Sequence, residues 1–119
     1  MTNLEQIKQR YMQDEVAIRL GGISANLARI DSFSRHSANK AAAYYLLEES
    51  KYFIEWTAAH TDPDRAAELV ELQVSLARWQ RHWDAIWDTP VLRSQIAQMA
   101  RTWSDHILEA SGLLTDRAE

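Results

Sequence analysis

The apolar residues Leu69, Leu72, Leu76, Trp79, Trp83 and Ile86 recur at alternating three- and four-residue steps. At about 3.6 residues per turn, that spacing sets six large side chains along one stripe of a helix. Such a stripe must be buried against other elements of similar length. The chain has only 3 Gly and 2 Pro, whereas an all-β fold needs turn residues roughly every eight to twelve positions. The partners of this stripe are therefore expected to be helices.

Three further segments repeat a helical period. In the first, Thr2 followed by Glu5 has the pattern of a capping box. Val16, Leu20, Ile23, Leu27 and Ile30 then form a seam, while Leu4, Ile7 and Tyr11 fall on a different face. Gly21-Gly22 is a candidate kink, since each glycine costs about 1 kcal/mol relative to alanine inside a helix. The second segment carries its stripe at Ala43, Leu46, Leu47, Ser50, Phe53, Ile54 and Thr57, with Tyr45, Tyr52 and Trp56 on the opposite side. The third starts with Thr61 or Asp62 as a cap before Pro63, and Asp64 and Glu68 complement its dipole. The fourth starts at Thr89-Pro90, and its seam is assigned to Leu92, Ile96, Met99, Trp103, His106 or Ile107, and Ala110. Gly112 is a stop signal, and the tail after Leu114 is expected to fray.

These segments predict helices over about 2–31, 38–60, 62–88 and 90–111. The breaks are short, so sequential helices should be antiparallel neighbours. The expected fold is a single all-α domain, an antiparallel up-down-up-down four-helix bundle.

Composition narrows the function. The absence of cysteine excludes a disulfide framework, a thiolate metal site and a cysteine nucleophile. It suits a reducing compartment, and the opening residues Met1–Lys8 lack the basic-then-apolar order of a secretory leader, so a cytoplasmic location is expected. No apolar run approaches the ~18 residues of a membrane span. A net charge of −4 with both signs interspersed argues against nucleic acid. Arg78-Trp79-Gln80-Arg81-His82-Trp83 interleaves basic and aromatic residues as strand-stacking surfaces do. Its tryptophans lie on the core seam, however, which leaves Arg78, Arg81 and His82 as a solvated flank.

The second stripe of segment two is the feature that a bundle core does not require. Tyr45, Tyr52 and Trp56, with Leu4, Ile7 and Tyr11, are the candidate interface residues. Large exposed apolar patches are rare on soluble monomers and mark contact surfaces. Two coverings are open: a partner, or the N-terminal arm of the same chain.

The strings Glu49-Ser50-Lys51-Tyr52-Phe53-Ile54-Glu55-Trp56-Thr57 and Ala67-Glu68-Leu69-Val70-Glu71-Leu72-Gln73, and the ending Ala110-Ser111-Gly112-Leu113-Leu114, resemble an uncharacterised family of small helical proteins from cyanobacteria. The resemblance spans segments two to four and implies a helical fold without an assigned activity. Separately, Glu48-Glu49 and Glu68-Leu69-Val70-Glu71 resemble the paired carboxylates of MazG-type all-α pyrophosphatases, which carry an ExxE and an ExxD pair on successive helices. That likeness implies Glu48, Glu49, Glu68 and Glu71 as Mg²⁺ ligands. The first pair departs from the pattern: Lys51 and Tyr52 stand three residues after Glu48 and Glu49, where an acid is required.

The histidines raise two cofactor readings, haem and a di-iron site, and the second is excluded. Met12 and His106 could face each other as axial haem ligands, as in soluble b-type cytochromes of this fold, but no attachment motif accompanies them. A di-iron site needs Glu-x-x-His, and Phe33, Thr57, Trp79 and Trp103 precede the four histidines instead. The expected function is a small interaction or oligomerisation module. It would act as a homo-oligomer or on another protein, with no catalysis, cofactor, nucleic acid or membrane of its own. The alternative is a divergent MazG-like, Mg-dependent nucleoside triphosphate pyrophosphatase.

Overall fold

A computed structural model describes residues 3–116. Within them the regular structure is helical: α1 (Leu4–Met12), α2 (Val16–Phe33), a 3-10 turn (Ser37–Asn39), α3 (Lys40–Ala58), α4 (Pro63–Arg81), α5 (Trp83–Asp88), α6 (Pro90–Ser111) and α7 (Leu113–Asp116). None of these helices is long and apolar enough to cross a membrane.

Long-range contacts give the relative directions. Asn26 on α2 meets Glu49 on α3, while the earlier Arg19 meets the later His60. Lys51 and Glu48 on α3 meet Gln73 and Gln80 on α4. Ser24 meets Ser104, and the later Asp31 meets the earlier Arg101. In each pair one index rises as the other falls, so neighbouring helices run antiparallel. One core joins them, with Ile23, Leu27, Leu47, Ile54, Leu72 and Leu76 fully buried.

The expectation of four continuous helices is corrected in two places. The first segment breaks at residues 13–15, with Glu15 extended at ψ 158°, and not at Gly21-Gly22. An unbroken helix would hold Leu4, Ile7 and Tyr11 off the seam face; the break re-aims them onto α3. Gly21 marks a close approach instead, whereas Gly22 has room for an ordinary contact. A Cβ at Gly21 would stand 2.9 Å from the Leu113 side chain, and one at Gly22 would touch the Tyr11 ring at 3.6 Å. The third segment breaks at His82. Beyond it the indoles of Trp83 and Trp87 donate to the carbonyls of Lys40 and Ser37, at 3.1 and 2.8 Å. Two buried indole N–H groups thus find partners, and α5 is pinned to the start of α3.

The seam assigned to the fourth segment holds at Ile96 and Ile107, with Trp103 packed against the core, and is corrected at Leu92, Met99 and His106. α6 buries Ile96, Ala97, Ala100, Ser104 and Ile107. Leu92 and Met99 are exposed, and His106 lies outside. The reason is residue size. Ser104 Oγ donates to the Ser24 carbonyl and Ser24 Oγ to the Ser104 carbonyl, both at 2.8 Å. Only small side chains allow α2 and α6 to approach closely enough for those bonds, so the larger residues turn outward.

The capping signals fare unevenly. Asp62 accepts from the Arg65 N–H at 2.9 Å with Pro63 in the first turn, as expected. Thr89 does not cap α6; its hydroxyl donates back to the Ala85 carbonyl. Gly112 ends α6 at φ 83°, the left-handed conformation that favours glycine. α7 runs as far as Asp116; the rest of the tail expected to fray, residues 117–119, lies outside the described residues, as does Thr2 of the expected capping box.

The corrected phase carries a stability prediction. Leu76→Ala should destabilise the fold by about 2–5 kcal/mol, because it opens a cavity in a fully buried site. Leu92→Ala should cost under about 0.5 kcal/mol, because Leu92 faces outward. Urea denaturation of both variants checks the pair, and equal losses would show that the phase is wrong.

Candidate functional site

The polar knot beneath α1 positions the site. Tyr11 is buried, and its ring stacks on Phe53 with centroids 4.1 Å apart. Its hydroxyl donates to the Arg19 carbonyl at 2.9 Å and lies 2.9 Å from Thr57 Oγ1. One phenol has one proton, so Thr57 is the donor in the second bond. Arg19 is 8% exposed and forms no ion pair with an acid among the described residues. Its Nε donates to the Asp14 carbonyl at 3.0 Å, and Nη1 to the Trp56 carbonyl at 3.3 Å, with His60 Nδ1 at 3.1 Å. The Trp56 carbonyl belongs to the last turn of α3, so the negative end of that helix dipole faces the guanidinium, and the Asp14 carbonyl comes from the break that follows α1.

Clamped in this way, α1 lies along α3 and leaves a groove of 370 Å³ between them. Leu4, Ile7, Tyr45, Tyr52 and Trp56 line it, with Glu48 and Glu49 at its edge. Five of the six candidate interface residues therefore meet in one place, and the sixth, Tyr11, supports the floor. Their roles differ. Trp56 is 8% exposed, packed between Tyr11, Phe53 and Tyr52. Tyr45 is 53% exposed and stands at the rim. Its hydroxyl reaches Glu49 at 3.4 Å, and the charge of Glu49, then burial, then that hydrogen bond raise its pKa. The chain's own N-terminal arm thus covers part of the aromatic stripe and leaves part of it open.

The carboxylates of the pyrophosphatase resemblance do not converge. Glu48 takes Gln80 and Lys51, at 2.9 and 3.4 Å. Glu49 takes Asn26 at 3.1 Å besides Tyr45. Glu68 pairs with Arg65 and with His106 Nε2, and Glu71 is exposed. Among the described residues no three acids or histidines are grouped to hold a metal ion. The haem pair is likewise divided between different surroundings. Met12 Sδ accepts from Arg19 at 3.6 Å, whereas His106 faces Glu68 with its ring edge-on to Trp103. Trp79 and Trp83 are buried, and Arg78, Arg81 and His82 form the solvated flank expected of them.

Sequence reasoning passed over Arg19 and His60, and placed Thr57 on the core stripe without its polar role. Nothing in their spacing marks these bonds, since the partners lie up to 46 positions away. It also passed over Asp31, buried on α2 and paired with Arg101 at 2.9 Å. An outer stripe on α4 was visible in principle: Val70, Val74, Ala77 and Arg81 fall at i, i+4, i+7 and i+11.

The knot has a pH signature. Burial, the dominant effect, holds the Tyr11 phenol well above its ordinary 10.0. Below pH 10 it is protonated in both the folded and unfolded chain. Above that, only the unfolded chain releases the proton, so stability falls as pH rises, by up to about 1.4 kcal/mol per pH unit. Tyr11→Phe should be less stable at pH 7, having lost two hydrogen bonds, and should show a shallower decline between pH 9 and 11 than the wild type, in thermal melts followed by circular dichroism. Parallel declines would remove Tyr11 as the alkaline trigger.

Comparison of the chain with protein-family models, with curated proteins and with solved structures finds no match.

Proposed function

We propose that this protein is a small helical interaction module that self-associates through the groove between α1 and α3 and has no catalysis of its own. The observation that carries the reading is the mismatch at Tyr45. An aromatic side chain 53% exposed stands beside an apolar groove of 370 Å³. Aromatic residues are enriched at the centres of interfaces, where they lose their remaining contact with water. A closed two-fold dimer is the commonest assembly that hides such a surface. In this reading the helical arms α1–α2, α3, α4–α5 and α6 serve as an antiparallel four-helix frame that holds the groove rigid. The buried members of the stripe, Tyr11 and Trp56, act as supports and not as contacts.

The pyrophosphatase alternative keeps no supporting geometry. Its four carboxylates are each engaged by neighbours of their own or exposed on α4.

Sedimentation velocity at micromolar concentration should show a species heavier than one chain. Tyr45→Glu combined with Tyr52→Glu should return it to the monomer with unchanged helicity by circular dichroism. Trp56 is left intact because its replacement would unseat α1. A wild type that sediments as a monomer, or a double variant that associates as before, would refute the proposal.

A further inference from the structure

The outer face of α4 carries apolar surface that the core does not use. Val70 and Val74 are 49% and 50% exposed. With Ala77 and Arg81 they form a ridge within about 60° of the helix surface, and Arg78 flanks it. Ala77, Arg78 and Arg81 are exposed, and neither arginine forms an ion pair among the described residues. The ridge is therefore apolar along its first turns and positive at its end.

Ridge and groove adjoin. Tyr52 and Glu48 border the groove under α1 and also line a neighbouring depression of 440 Å³, whose other side includes Val74 and Ala77. Both surfaces thus open on the same side of the molecule. The balance of charge is opposite: Glu48, Glu49 and Glu55, against the single cation Lys51 that pairs with Glu48, give the two depressions a net acidic edge on α3, while Arg78 and Arg81 sit on the ridge.

We propose that the groove of one copy receives the α4 ridge of a second copy, in a two-fold dimer in which each chain supplies both. This rests on the docking reading above and adds the opposing surface. Three arguments select it. Pairing groove with groove would set the Glu49 and Glu55 carboxylates of one copy near those of the other, and pairing ridge with ridge would do the same with arginines; like charges juxtaposed across an interface oppose association. A chain of net charge −4 repels its own copies, and a local match of opposite signs offsets that repulsion. Finally, because ridge and groove share one side, a single two-fold axis between them satisfies both at once. Complementary surfaces on opposite sides would propagate into a filament instead.

Charge exchange tests the pairing. Arg78→Glu with Arg81→Glu gives an acidic ridge, and Glu48→Lys with Glu55→Lys gives a basic groove edge. Each double variant should be folded by circular dichroism and should dimerise more weakly than wild type, by about tenfold or more. An equimolar mixture of the two should restore a dimer, measured by sedimentation velocity or by fluorescence transfer between differently labelled chains. If the acidic-ridge variant dimerises like wild type, or if the folded variants fail to associate on mixing, the ridge is not the partner surface. In that case, loss of the dimer in the Tyr45→Glu, Tyr52→Glu variant still leaves the groove as the docking site. A monomeric wild type overturns both and leaves the groove to a different protein.

Discussion

The arrangement depends on a buried cation that has no acid. Arg19 reaches the Asp14 and Trp56 carbonyls and the His60 ring from the first turn of α2. Taking an unpaired guanidinium out of water would cost several kcal/mol. Here the backbone compensates it, because a carbonyl of the last turn of α3 and one from the break after α1 converge on the same point. The reverse also holds: without the guanidinium those carbonyls would be left short of donors. Arg19 is thus the common partner of α1, α2 and α3, and the groove exists because α1 is held there at all.

That constraint separates the aromatic residues into two kinds. Tyr11 stacks on Phe53, Trp56 tilts against both, and the Tyr11 hydroxyl finds its two partners within the chain. Tyr45 remains open at the rim, and Tyr52 bridges the two by stacking on Trp56 with centroids 5.7 Å apart. The same residue type therefore serves the fold at one position and the surface at another. Burial, not identity, decides which.

How much of this could be read in advance depends on the size of the side chains involved. The seam from Leu69 to Ile86 is large and periodic, and every member is buried. Segment two shows the same agreement at Ala43, Leu46, Leu47, Ile54 and Thr57. Segment four misleads because its tightest contact uses Ala100 and Ser104, which carry almost no hydrophobic signal, while Leu92 and Met99 carry a strong one and face water. The break at residues 13–15 was foreshadowed by Leu4, Ile7 and Tyr11 falling on another face, but a change of face does not by itself indicate whether a helix bends or stops. The candidate surface was legible as a stripe. Its division into support and rim was not, because it is set by Arg19 and Thr57, whose polar partners carry no periodic signature.

The reciprocal serine bonds between α2 and α6 have one more consequence. Greasy helix faces can slide past one another with little loss, since one methyl group replaces another along the seam. Ser24 and Ser104 each give a hydroxyl to the other's carbonyl. A slip of one helical turn, about 5.4 Å, would separate all four groups and strand them in a dry interface. Two of the smallest side chains in the core therefore act as a vernier, fixing the longitudinal alignment of the pair while the leucines and isoleucines supply only its cohesion.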